Sequence, residues 1–183
     1  MSNPLIEMKD LTDITYPVLA SNFSTITAGG NSGTAVTGLT IDRETLLDYG
    51  ADARGALPAG NLPMGAIFEL AYSATLAATK TLSIGTVQVQ SSPDGSTWTT
   101  NFDQTGSLTT QASEWPAAGV IDTGAAGGST QKGVVAYGTN LKGCQRYVRF
   151  NFTPTLSATS IDVANITVAA VLSGFCEVPP ATV

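Results

Sequence analysis

The chain has no histidine in 183 residues, which removes the Ser-His-Asp and Cys-His nucleophile systems, His-containing zinc sites and the usual general base near neutral pH. Its two cysteines, Cys144 and Cys176, are too few for an all-thiolate zinc site within one chain. They are also too few for a disulfide framework and suit a protein made in a reducing compartment. Each lies beside a predicted strand, either as a small buried thiol or as one half of a single bridge. Carboxylates remain as the groups that could do chemistry. Asp94, Asp103, Glu114 and Asp122 are the candidates for the acid pair of a glycoside hydrolase. Asp94, however, is explained by a turn, Glu114 precedes Trp115-Pro116 in a loop, and the other two have no partner motif. No Asp-x-Asp-x-Asp-Gly loop offers calcium ligands, and no glycine-rich stretch has the Gly-x-x-x-x-Gly-Lys-Ser/Thr order that cradles phosphate. The reading is a protein with no catalytic residue, metal site or cofactor.

Recognition chemistry is sparse as well. Trp98, Trp115 and Tyr137 are candidates for an aromatic platform under a sugar ring, which needs flat apolar faces beside hydrogen-bonding groups. The competing expectation is that a Trp just after a hairpin turn packs on its own sheet. Lys142, Arg146 and Arg149 form the only basic cluster, and three bases around one strand read as a solvated or interface face. Net charge is −6; residues 1–69 carry eight acids against three bases and residues 70–183 six against five, which argues against a nucleic-acid surface. Three sequons, at Asn22, Asn151 and Asn165, carry no meaning without a secretion signal. The N-terminus lacks the basic-then-apolar order of such a signal, and no apolar run approaches the roughly twenty residues that span a bilayer. The expectation is a soluble product of the cytoplasm with no membrane partner.

Charged residues make up 12% and aromatics 7% of the chain, so its surface must be built from small neutral groups, as suits a protein packed against neighbours. The clearest element is Val87-Gln88-Val89-Gln90-Ser91-Ser92-Pro93-Asp94-Gly95-Ser96-Thr97-Trp98, an alternating strand entering a Pro-Asp-Gly turn. About fifty residues on, Val148, Phe150 and Phe152 share one strand face while Tyr147, Arg149 and Asn151 share the other. Phe68, Leu70 and Tyr72 mark a further strand, with Glu69 and Ser73 opposite. Leu82 and Ile84 hold one parity and Val87 and Val89 the other, which predicts a β-bulge at Gly85. Gly124 to Ser129 predicts a bend before Val134-Val135-Ala136-Tyr137. The last long strand places Ile166, Val168, Ala170 and Leu172 on its apolar face, with Gly174 expected to break it. Residues 42–50 read either as a short helical turn capped by Asp42 and ended by Gly50 or as a strand end with a loop. Gly50 to Pro63 reads as an irregular connection. Seven or eight short strands then make one all-β domain, a β-sandwich or jelly roll with little helix, over residues 35–183.

Residues 1–34 are expected to form an extended N-terminal arm ending in a glycine-rich stretch. Ile14, Tyr16 and Val18 alternate briefly before Leu19 breaks the pattern, and Pro17 allows an edge strand at most. The arm covers either a sheet edge of its own chain or a neighbouring subunit.

Gln90 to Trp98, Gln145 to Phe150, Thr153 to Thr159 and Val171 to Phe175 together resemble small structural proteins of tailed bacteriophages, and Thr40 to Arg43 is similar to the opening strand of that family. The resemblance covers roughly residues 35–180. It implies a head decoration or cement protein, a β-sandwich that sits on the assembled shell in the virion and bridges major capsid proteins. Many weak sites on one lattice then give avidity. Leu5, Ile6, Ile14, Tyr16, Val18 and Leu19 of the arm, with Arg146 and Arg149, are the expected contacts to capsid or subunit. Exposed sheet edges are expected to pair copies into a dimer or trimer. The Ser-x-Asp-Gly-x-x-Trp and Arg-Tyr-Val-Arg motifs are also similar to discoidin-type jelly rolls, which implies the alternative of a glycan-binding module on a tail or fibre.

Overall fold

Alternating β-branched and small residues pleat the chain into strands whose apolar sides must meet across a core. The computed structural model describes residues 15–44, 63–103, 115, 118–158 and 160–175. Among these are nine strands and no helix: β1 Thr15–Thr27, β2 Ile41–Asp42, β3 Pro63–Leu76, β4 Thr81–Ser92, β5 Thr99–Asp103, β6 Gly119–Thr123, β7 Ser129–Asn140, β8 Tyr147–Leu156 and β9 Val163–Phe175. One sheet has the order β1-β9-β3-β7; the other runs β2-β8-β4-β5, with β6 also on β4. Every pairing is antiparallel.

The pairing is nested around the turn between β4 and β5. Outward from that turn β4 meets β5 and β6, β3 meets β7, β2 meets β8, and β1 meets β9. The long double strand is then rolled so that β9 also pairs with β3 and β8 with β4. This is a jelly roll, one of the two forms expected from the sequence.

Phe68, Leu70, Ala74 and Leu76 of β3, Leu82, Ile84, Val87 and Val89 of β4, Val148, Phe150 and Phe152 of β8, and Ile166, Val168, Ala170 and Leu172 of β9 are buried between the sheets. Each large side chain contributes about 1.5–3 kcal/mol. Phe68 stacks on Phe150 across the sandwich with centroids 4.9 Å apart. The predicted bulge is present: the β4–β8 ladder shifts between Ile84 and Val87. It falls where the edge changes hands, since β6 pairs with Thr81–Ile84 and β5 with Gln88–Ser91.

Several expectations need correction. β9 does not break at Gly174 but runs to Phe175, opposite Pro63, because β3 supplies a partner along that length. β7 extends well beyond residues 134–137, since its polar half lies on the same ladder against β3. Asp42 ends β2, and its carboxylate accepts the Glu44 N–H at 3.0 Å; a strand end entering a turn is therefore what residues 41–44 form, and residues 45–50 lie outside the described residues. The connection expected from Gly50 also lies outside them up to Pro63, which opens β3. Of the expected arm, residues 15–27 form an edge strand. Two register shifts mark it, and Ser21 Oγ accepts the Val168 N–H at 2.8 Å beside the shift. The chain then crosses to the other sheet, where Val36 pairs with Phe152 and Leu39 N–H reaches back to Ala20 O at 2.7 Å.

Candidate functional site

The two sheets present different outer faces. On β8 and β4, the side chains that point away from the core are polar: Arg149 stands opposite Gln90, and Gln90 opposite Thr100 of β5. The Gln90 amide bonds through both its oxygen and its nitrogen. Its Oε1 accepts from Arg149 Nε at 2.8 Å and Asn151 Nδ2 at 2.9 Å, and its Nε2 donates to Thr100 Oγ1 at 3.1 Å. The Arg149 guanidinium lies 4.0 Å over the Trp98 ring, and desolvation holds its pKa below the ordinary value. Arg146 is neutralised locally. It grips Asp42 through Nε at 3.0 Å and Nη2 at 2.7 Å and meets Glu44 at 2.8 Å; the hydrogen bonds to Asp42, then the charges of Asp42 and Glu44, raise its pKa.

The hairpin at the end of this face is locked by Asp94. Its carboxylate accepts the Ser96 and Thr97 N–H groups at 2.8 and 2.9 Å and the Ser92 hydroxyl at 2.9 Å, while Gly95 supplies the positive φ of 75°. These bonds, led by that from Thr97, hold the Asp94 carboxyl well below the usual range. The carboxylates weighed for catalysis are not brought together. Asp94 is committed to its turn, Asp122 accepts the Tyr72 hydroxyl at 2.9 Å, Asp103 stands opposite Gln88 towards the other end of β4 from Asp122, and Glu114 lies outside the described residues.

The aromatic platform does not form either. Trp115 and Tyr137 are buried, packing edge to face at 5.6 Å, and Trp115 Nε1 donates to Gly138 O at 2.7 Å. Trp98 is half-buried at the surface with Arg149 on its ring.

Three rows in the middle of the other sheet's outer face are largely apolar, with polar rows on both sides. Reading across the register, Pro17, Val171, Ile67 and Gly138 form one row, and Leu19, Ala169, Glu69 and Ala136 the next. Thr167, Ala71 and Val134 follow. Leu19 is 49% exposed, Ile67 45% and Val134 63%, and Glu69 is the one charge in these three rows. Of the expected contacts, Leu19 lies on this face, Val18 is packed against the core, and Tyr16 stands opposite Leu172 on the backbone of β1. Leu5, Ile6 and Ile14 lie outside the described residues. Arg149 lies on β8 of the opposite sheet and Arg146 just before that strand, so the expected contacts among the described residues do not fall on one surface.

Sequence reasoning missed Ile67, Val134 and Val171. The signal was there: in β3 and β9 the side opposite the core-facing residues carries Ile67, Ala71, Ala169 and Val171, and a strand apolar on both sides suits cover on both. Cys144 is half-buried, and burial pushes its thiol up to about 11; Cys176, its possible bridge partner, lies outside the described residues.

No family model matches the sequence, and no curated protein matches it. Solved structures that align with it include several from infectious bursal disease virus. They include a structure of the Gx strain (TM-score 0.46, 10% identity, 90% of this chain and 33% of that one) and the T13 viral particle (0.43, 10%, 87% and 30%). A VP2 subviral particle aligns with a TM-score of 0.40 at 9% identity, over 91% of this chain and 34% of that one. The chain thus spans about a third of the length of the viral chains it matches.

Proposed function

We propose that the chain is a structural virion protein, a decoration or cement protein that binds the assembled head of a tailed phage and bridges its major capsid proteins. The observation that carries this reading is the outer face of the β1-β9-β3-β7 sheet, where Leu19, Ile67 and Val134 stand exposed among alanines with a single carboxylate. An exposed apolar patch rimmed by polar residues is the kind of surface that docks another protein. The phage resemblance of the loops and of β8 supports the same assignment. Chemically the role asks for no catalytic group, since a clamp acts through its greater affinity for the assembled lattice.

The test is the copy number of this chain per purified particle, by quantitative mass spectrometry against the major capsid protein. Hundreds of copies are expected; a handful would move the protein to the tail or portal, and none would overturn the reading. Ile67→Glu, at the centre of the face, is expected to lower head occupancy at least tenfold while the fold persists.

One observation favours glycan recognition: Trp98 lies half-open beside Arg149, Gln90 and Asn151, a ring next to hydrogen-bonding groups. That reading requires saturable quenching of Trp98 fluorescence by host-surface glycans, lost in Trp98→Ala.

A further inference from the structure

We infer that a second copy of this chain adds itself to the open edge of β7, antiparallel and with Val134 opposite Val134, so that two four-stranded sheets become one of eight strands. Among the described residues every other edge of the sandwich is blunted. β1 carries Pro17 and two register shifts, and Leu39 N–H occupies the Ala20 carbonyl. β2 is two residues long, and β5 and β6 are five each, separated by the bulge in β4. β7 has twelve residues, contains no proline and pairs with β3 without any shift. Long, straight, unprotected edges are templates for another strand.

The direction of its backbone groups follows from one bond. Leu141 N–H donates to Met64 O at 2.7 Å, continuing the β3–β7 register. Odd-numbered residues of β7 therefore turn their N–H and C=O groups to β3, and Thr130, Lys132, Val134 and Ala136 turn theirs to the open side. Gly138, also even, obeys this: its carbonyl accepts the Trp115 indole N–H, which closes that end. Among the described residues nothing bonds to the backbone of residues 130, 132, 134 or 136 from the open side.

Charge selects the register. Glu69 of β3 stands directly opposite Ala136, and Lys132 opposite Ser73. Neither Glu69 nor Lys132 has an ion-pair partner among the described residues. With Val134 on the twofold axis, Lys132 of the second copy falls opposite Ala136, in the same row as Glu69 and about 10 Å from it, two strand spacings. The small Ala136 side chain leaves the lysine free to extend over it to the carboxylate. The symmetry makes this contact twice, and it covers Val134 with its own copy. A slip that set Lys132 opposite Lys132 would lose both pairs and oppose two cations. The pairing shares Val134, Ala136 and Glu69 with the apolar face, but it joins backbone edges rather than that face.

The experiment is sedimentation of the full chain across a concentration series, with circular dichroism to verify folding. The wild type is expected to dimerise. Val134→Pro removes a donor aimed at the open side and no bond of the β3–β7 ladder, so a folded monomer is expected. Lys132→Glu sets like charges in one row and is expected to weaken the dimer about tenfold; the double variant Glu69→Lys with Lys132→Glu is expected to restore it. A wild type monomeric at every concentration overturns the inference. So does a dimer indifferent to Val134→Pro, or a Lys132→Glu defect that the double variant leaves unrepaired, either of which would assign the contact to another surface or register.

Discussion

Arg43 is 1% exposed, and three backbone carbonyls surround its guanidinium: Nη1 donates to Cys144 O at 2.7 Å and Gln145 O at 3.0 Å, and Nη2 to Pro63 O at 2.6 Å. One side chain thereby ties the end of β2 to the start of β3 and to the turn before β8. Desolvation lowers its pKa, yet the planar fork satisfies three acceptors that a single ammonium cannot reach together. Arg43→Ala is expected to cost on the order of 3–5 kcal/mol in denaturant unfolding, because it strands those carbonyls, and Arg43→Lys to recover less than half. Two phenols contribute to the loss of stability at alkaline pH, alongside the half-buried Cys144 thiol. Burial, together with the hydrogen bond to Asp122, pushes Tyr72 up to about 12, and burial alone does the same to Tyr137. Unfolding releases both to their ordinary value near 10. The stability they lend is intact below pH 10 and is lost as pH rises from 10 to 12. Chemical denaturation across that range tests it, and Tyr72→Phe is expected to flatten the fall.

At the scale of elements, the edge of the second sheet is the least regular part of the fold, and Trp115 packs beside its β5 end. β5 ends and β6 begins on the two sides of the β4 bulge, and the indole enters the core there against Phe102 and Tyr137. Trp115→Ala is expected to cost about 3–5 kcal/mol in thermal or denaturant unfolding, and Trp115→Phe less, since it loses chiefly the bond to Gly138. The bulge itself was legible because parity is a counting argument: Leu82 and Ile84 hold one parity and Val87 and Val89 the other, with the switch at Gly85. β8 and the core face of β9 were legible for the same reason. β1 was not, because its two register shifts break the alternation that reveals a strand. The full length of β7 was hidden by Ser129 to Gly133, whose polar side chains pair along β3 without contributing an apolar face. The arginines were found as a cluster, but sequence could not say that Asp42 and Glu44 neutralise one of them while Trp98 and Gln90 hold the other.

For the molecule as a whole, the division between a polar and an apolar sheet face makes a prediction about salt. Binding through Leu19, Ile67, Val134 and their alanine neighbours removes apolar surface from water and engages one carboxylate, so screening has little to act on. Binding through Arg149, on a chain of net charge −6, would instead depend on a local cation meeting an acidic shell and would weaken as ions screen it. Raising sodium chloride from about 50 to about 500 mM shortens the Debye length roughly threefold. Head occupancy is expected to stay within twofold over that range and to rise in sulfate, which strengthens apolar burial. The measurement is co-sedimentation with heads lacking the protein. A steep loss with chloride would transfer the contact to the Arg149 face and make Arg149→Ala, rather than Ile67→Glu, the variant that frees the protein from the shell. The β7 pairing carries its own salt signature, since the Glu69 and Lys132 rows lie at the surface. Occupancy that holds while the free dimer weakens would separate the two contacts within one titration.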